Sequence, residues 1–169
     1  IARRKTGDTA AEKARFVNAC KIADEQLGAL YEKALREIGE SNAAVFEIHR
    51  MMLADGDYTE SVENIIESER VNAEYAVSVT ADNFAHMFAA MEDEYMKARA
   101  ADVRDISERL TDILLGADKK SAPAGDGQII LAEDLTPSET VQLDKSRVAA
   151  FVTVGGSVNS HTAILARTM

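Results

Sequence analysis

The sequence predicts a mainly α protein, an antiparallel helical-hairpin bundle followed by part of an α/β subdomain. Three observations carry this. Apolar residues from Thr9 to Ile38 recur at alternating spacings of four and three, the mark of a helix with one buried stripe. Between Asn72 and Gly116 no proline or glycine interrupts the chain. Beyond Gln128 the pattern becomes strand, helix, strand, glycine-rich turn, helix, the grammar of a parallel α/β unit. The expected boundaries are a helical subdomain over 1–116, a linker over 117–127 and an incomplete α/β subdomain over 128–169.

The first helix carries Phe16, Cys20, Ala23, Leu27, Leu30, Ala34 and Ile38 on its stripe; Thr9 and Glu12 read as a capping box, and Gly39 stops it. Ser41 to Ala54 repeats the pattern with Val45, Ile48 and Met52 until Gly56, between two aspartates, breaks it. Tyr58 to Ser68 follows, with Val62, Ile65 and Ile66. Asn72 then caps one very long run through Phe84, Phe88, Met91, Tyr95, Ala98, Val103, Ile106, Leu110 and Ile113. Its aromatic and methionine positions are expected in the core. Ala117 to Gly127 is loop by composition, QIILAE is a strand, and TPSE starts a short helix with Thr136 as cap, Pro137 first and Glu139 closing a capping box. A second strand runs from Val148 to Thr153. Two strands are too few for a stable sheet, so the α/β part is expected to lack pieces, and a chain that begins at Ile1 reads as a cut piece of a longer protein.

The 169 residues carry a net charge of −10, which disfavours nucleic acid as a partner. From Glu40 to Glu74 nine carboxylates face only Arg50 and Arg70, a local balance of −7. Such a run is either a solvated helix face or a landing surface for a basic partner. No apolar run approaches the roughly 18 residues of a membrane span and no signal peptide is evident, so a cytoplasmic protein without a membrane partner is expected. Cys20 is the single cysteine, which excludes an intrachain disulfide; it reads as a core residue.

The chemistry concentrates in GGSVNSHTAILARTM, Gly155 to Met169. Gly155 and Gly156 turn the chain out of the strand, Asn159 or Ser160 caps, and His161 lands in the first turn of a helix. The positive helix end disfavours imidazolium, leaving a neutral, nucleophilic ring near pH 7. The same N–H groups stabilise an attached phosphoryl group. Ser160 and Thr162 add hydroxyls, and Arg167 adds positive charge. From these residues alone, a phosphoryl-carrying histidine and an ordinary helix-start residue both stand.

GGSVNSHTAILAR resembles the phosphohistidine signature of the phosphoenolpyruvate-utilising enzymes. With EDLTPSETVQL, EYMKARAADVRDISERL and AVFEIHRMML in the family's order, the chain resembles Enzyme I of the bacterial phosphoenolpyruvate-dependent sugar phosphotransferase system, in its N-terminal part. The resemblance implies a phosphoenolpyruvate-protein phosphotransferase that takes a phosphoryl group onto His161 and passes it to the phosphocarrier HPr, the first step of sugar uptake. It implies that Thr140 orients the ring and Arg167 supports it. HPr docking is implied at Glu47, His49, Met51, Met52, Asp57 and Arg99, whereas His86 is left structural.

The family places phosphoenolpyruvate and Mg²⁺ in a C-terminal barrel, which also dimerises. No cofactor or metal is therefore expected on this stretch, which would be a monomer inactive with phosphoenolpyruvate alone. The family often reads Gly-Gly-Arg-Thr-Ser-His, but Ser157, Val158, Asn159 and Ser160 precede the histidine here, so any role of that arginine is absent or shifted. The alternatives are a binding-only helical module and a piece of a pyruvate phosphate dikinase or phosphoenolpyruvate synthase, which typically carry Cys before the histidine.

Overall fold

The computed structural model describes residues 1–116, 127–133, 135–143, 146–155 and 163. Its helices are α1 (Thr9–Ile38), α2 (Glu40–Leu53), α3 (Gly56–Glu69), α4 (Ala73–Ala89), α5 (Glu94–Leu115) and α6 (Pro137–Gln142), with strands β1 (Gln128–Ala132) and β2 (Val148–Thr153). They fall into two compact units: residues 1–27 with 48 onward through α5, and residues 28–47 with β1, α6 and β2. The division runs inside α1 and α2.

The first unit closes over Phe16, Ala23 and Leu27 of α1, Leu53 of α2, Tyr58, Val62 and Ile66 of α3, and Val103, Ile106 and Leu110 of α5, all buried. Each such large side chain contributes about 1.5–3 kcal/mol by leaving water. α4 adds a face of small residues, Ala73, Ala76, Val77, Ala81 and Ala85, against which α5 packs along its length.

Three expectations change here. The long run from Asn72 is two helices, because Asp93 caps a new one by accepting from the Met96 N–H at 3.0 Å. The stripe drawn across that break therefore fails: Tyr95 is 64 % exposed and Ala98 is exposed. Phe84 and Phe88 lie half-buried, Phe84 edge-on to Tyr58 with centroids 5.7 Å apart and Phe88 edge-on to Phe84 at 6.5 Å.

Capping is also exchanged between helices. Asp8 rather than Thr9 caps α1, accepting from Ala11 N–H at 2.9 Å. Glu12 reaches instead to the Ala73 N–H, 2.9 Å, and so serves the start of α4. Asn72 stands at the N-cap of α4 without a side-chain cap bond. Its amide instead receives Arg4 N–H at 2.8 Å and donates to Glu74 at 2.9 Å. Gly39 (φ 84°) and Gly116 (φ 64°) end α1 and α5 in left-handed geometry.

Cys20, expected in the core, is half-buried on the wall of a groove of about 570 Å³ that also touches Phe16, Leu53 and Arg50. Burial, with Glu63 adding to it, pushes its thiol up to about 12. The sulfur stays protonated and inert at neutral pH.

In the second unit β1 and β2 pair in parallel, with Ile129 opposite Ala150 and Leu131 opposite Val152. Ile129, Leu131, Val152 and Val154 are exposed, an apolar run on the sheet. α6 starts with the capping box foreseen: Glu139 N–H donates to Thr136 Oγ1 at 3.2 Å and Thr136 N–H to Glu139 Oε2 at 3.0 Å. Leu30, Ala34, Ile38, Ala43, Val45 and Phe46, from the ends of α1 and α2, are buried in this unit together with Leu135, Ser138, Thr140 and Val141 among the described residues.

Candidate functional site

His161, Ser160, Thr162 and Arg167 lie outside the described residues, and Ala163 among them is helical. Thr140, the residue expected to orient the histidine, is fully buried in α6. Its hydroxyl donates to the Thr136 carbonyl at 2.8 Å. With that proton spent, the oxygen is left as an acceptor, the role an imidazole N–H requires.

The residues expected to dock a partner divide by exposure. Met51 is 73 % exposed, Glu47 and Asp57 are exposed, and Met52 is half-buried. Asp57 stands in the first turn of α3, where the helix dipole favours a carboxylate, and Asp55 caps that turn from the Asp57 and Tyr58 N–H groups at 2.9 and 3.2 Å. In the second unit the negative field is felt directly. Glu47 raises the Tyr31 phenol, with partial burial, Glu40 and Glu32 adding to the effect.

His49 does not belong to that exposed set. It lies inside α2 with no exposed surface, its Nε2 3.2 Å from Asp102 Oδ1 and its Nδ1 3.5 Å from Asp105 Oδ2. The reason is periodicity: Val45, Phe46, His49 and Leu53 share the buried side of α2, and α5 answers the ring with two carboxylates. Arg99 is also largely buried, donating to Asp102 Oδ2 at 2.7 Å beneath the Tyr95 ring, whose centroid is 4.2 Å away. His49, Asp102, Asp105 and Arg99 thus form a charged cluster tying α2 to α5.

Sequence reasoning missed Asp102, Asp105 and the exposed Tyr95. The signal was available, because Arg99, Asp102 and Asp105 recur every three residues beside the buried Val103 and Ile106. His86 is exposed on α4 with its Nδ1 2.7 Å from the Asp82 carbonyl. Among the described residues no group of three or more His, Cys, Asp or Glu could hold a metal ion. No helix among them is long and apolar enough to cross a membrane.

A helical unit with an acidic, methionine-bearing edge and a parallel-stranded α/β unit place the chain in a definite class. Residues 2–99 match the family model described as PEP-utilising enzyme, N-terminal, and residues 124–169 the one described as PEP-utilising enzyme, mobile domain. Within that class the chain belongs to the Enzyme I family. It is 43 % identical over 168 residues to a phosphoenolpyruvate-protein phosphotransferase of Bacillus sp. (strain S), covering 99 % of this chain and 29 % of that protein. The phosphotransferase of Streptococcus equinus is 44 % identical over 165 residues, covering 96 % of this chain and 28 % of that protein. A solution structure titled as Enzyme I (nEIt) superposes with a TM-score of 0.80 at 36 % identity, covering 99 % of this chain and 69 % of that one. The N-terminal domain of a nitrogen Enzyme 1 gives 0.76 at 27 %, covering 99 % and 68 %. The chain spans about three tenths of the length of the curated relatives it matches.

Proposed function

We propose that this chain is the part of a phosphoenolpyruvate-protein phosphotransferase that carries the phosphoryl group on His161 and exchanges it with the phosphocarrier HPr in a sugar phosphotransferase system. The observation that carries the reading is the sequence GGSVNSHTAILARTM, which puts His161 after a Gly-Gly pair and inside the stretch matched as the mobile domain. One ring nitrogen of His161 attacks phosphorus, the P–N bond to the donor histidine breaks, and the donor imidazole leaves with its electron pair. Thr140 accepts the N–H of the other ring nitrogen and so keeps the attacking lone pair free. Ser160, Thr162 and Arg167 neutralise the phosphoryl charge together with the helix N–H groups.

Docking falls to Glu47, Met51, Met52 and Asp57, an acidic rim around methionines that suits a basic and apolar partner face. Arg99 and His49 support this surface from beneath. Phosphoenolpyruvate and Mg²⁺ act in the longer enzyme, a cytoplasmic homodimer, through residues beyond this stretch.

Incubation with labelled phospho-HPr tests the reading. The chain should gain acid-labile label that His161→Ala abolishes. Label persisting in that variant would sink the reading by placing the phosphoryl group on another residue, whereas binding of HPr with no transfer would leave a binding module instead.

A further inference from the structure

We infer that Lys33 is a positioning residue for phosphoryl transfer, acting as the C-terminal cap of the helix that holds Thr140; this rests on the proposed phosphohistidine function. α6 has six residues, and so short a helix does not hold its shape without outside partners. Its N-terminus is closed by the Thr136–Glu139 capping box. Its C-terminus has the opposite need, because the last four carbonyls of a helix have no partner within it.

Those carbonyls are met by different routes. Just ahead of them Ser138 O accepts from the Gln142 side chain at 3.0 Å, and among them Thr140 O accepts from Leu143 N–H at 3.2 Å. Val141 O accepts from Lys33 Nζ at 2.7 Å, a residue 108 positions away on α1. A charged donor at a helix C-terminus is favourable both as a hydrogen bond and against the helix dipole. Lys33 is half-buried, and the carbonyl it holds belongs to the residue next to Thr140, on a helix whose Ser138, Thr140 and Val141 are buried. α6 is thereby pinned at both ends, with the Thr140 hydroxyl between the pins.

Removing the ammonium should loosen α6 and misplace Thr140 while leaving the docking residues of α2 and α3 untouched. The test compares wild type, Lys33→Met, which keeps the stem without the donor, and Lys33→Arg, which restores one. With phospho-HPr as the probe, Lys33→Met should lower the transfer rate at saturation about tenfold, since small misplacements of reacting groups are costly. The half-saturating HPr concentration should stay within about twofold. Lys33→Arg should recover most of the rate.

An unchanged rate in Lys33→Met, or a loss that lies wholly in HPr affinity, overturns the assignment. Hydrogen exchange is read on the same samples and separates this inference from its parent. If wild type takes no label, the phosphohistidine reading fails. The positioning role then stands only if Lys33→Met strips protection from the Thr140 and Leu143 amides while those of α4 and α5 keep theirs; unchanged protection in α6 sinks it.

Discussion

The two units are held together by different means. In the first, five helices bury aliphatic and aromatic side chains and then add a charged cluster, His49 with Asp102, Asp105 and Arg99, inside the packing. In the second, a six-residue helix and two strands keep Ile129, Leu131, Val152 and Val154 exposed, and α6 depends on caps at both ends. Where tertiary burial is deep, local signals are overridden and even traded, as Glu12 capping α4 shows. In the second unit, by contrast, the capping box written in the sequence at the start of α6 is kept as the sequence has it.

The largest effect should come from breaking the buried cluster. Asp102→Ala leaves His49 and Arg99 without their shared carboxylate, and removing one member of a buried ion pair costs about 3–5 kcal/mol. Denaturant unfolding of the first unit should show that loss; one below about 1 kcal/mol would mean the cluster is peripheral.

Acid should also act on the first unit. Burial pushes the Glu74 carboxyl up, but Arg15 at 2.6 Å, a backbone N–H and the Asn72 amide outweigh it and hold it below the usual carboxylate value. A group depressed in the folded state contributes stability above its unfolded pKa of about 4.3 and loses it as pH falls through the folded value. Stability should therefore decline below about pH 4.3, and Glu74→Gln should flatten that decline in a pH series of melting curves. An equally steep decline in the variant would assign the acid sensitivity elsewhere.

A smaller loss is expected in the second unit. Thr136→Ala removes the capping box and should cost about 1 kcal/mol. Hydrogen exchange should show it in α6 and leave α3 to α5 as protected as before. Spread of the loss into those helices would contradict the separation of the two units.

The least effect on stability belongs to the docking rim. Glu47→Lys changes an exposed side chain and should stay within about 0.5 kcal/mol, whereas Asp57→Lys also loses a carboxylate from a helix first turn and should cost up to about 1 kcal/mol. They should nevertheless weaken HPr binding several-fold at low salt, with the difference shrinking as salt is added. Binding that ignores both the charge reversals and the salt would remove this surface from the account.

The order of the elements was legible before the structure, and so were α6, its capping box and the two strands, because turn residues and capping side chains announce themselves locally. The break at Asp93 was not. An aspartate is common both within helices and before them, and only packing of α4 on α5 decides which role it takes. His49 was misplaced for a related reason: the resemblance implied a docking contact, yet the residue sits on the buried side of α2 with Val45, Phe46 and Leu53, and its carboxylate partners are 53 and 56 positions away. Lys33 could not be read at all, since its partner is a backbone carbonyl, which no side-chain pattern reveals. His161 was singled out by its motif alone.

The central claim is that one histidine of three carries the phosphoryl group. Long-range ¹H–¹⁵N spectra of the imidazoles, taken before and after incubation with phospho-HPr, distinguish His49, His86 and His161 directly. Conversion of the His161 ring alone to a phosphoramidate is the predicted result, with buried His49 and exposed His86 unmodified. Phosphorylation of His86, or three unchanged rings, would contradict the account.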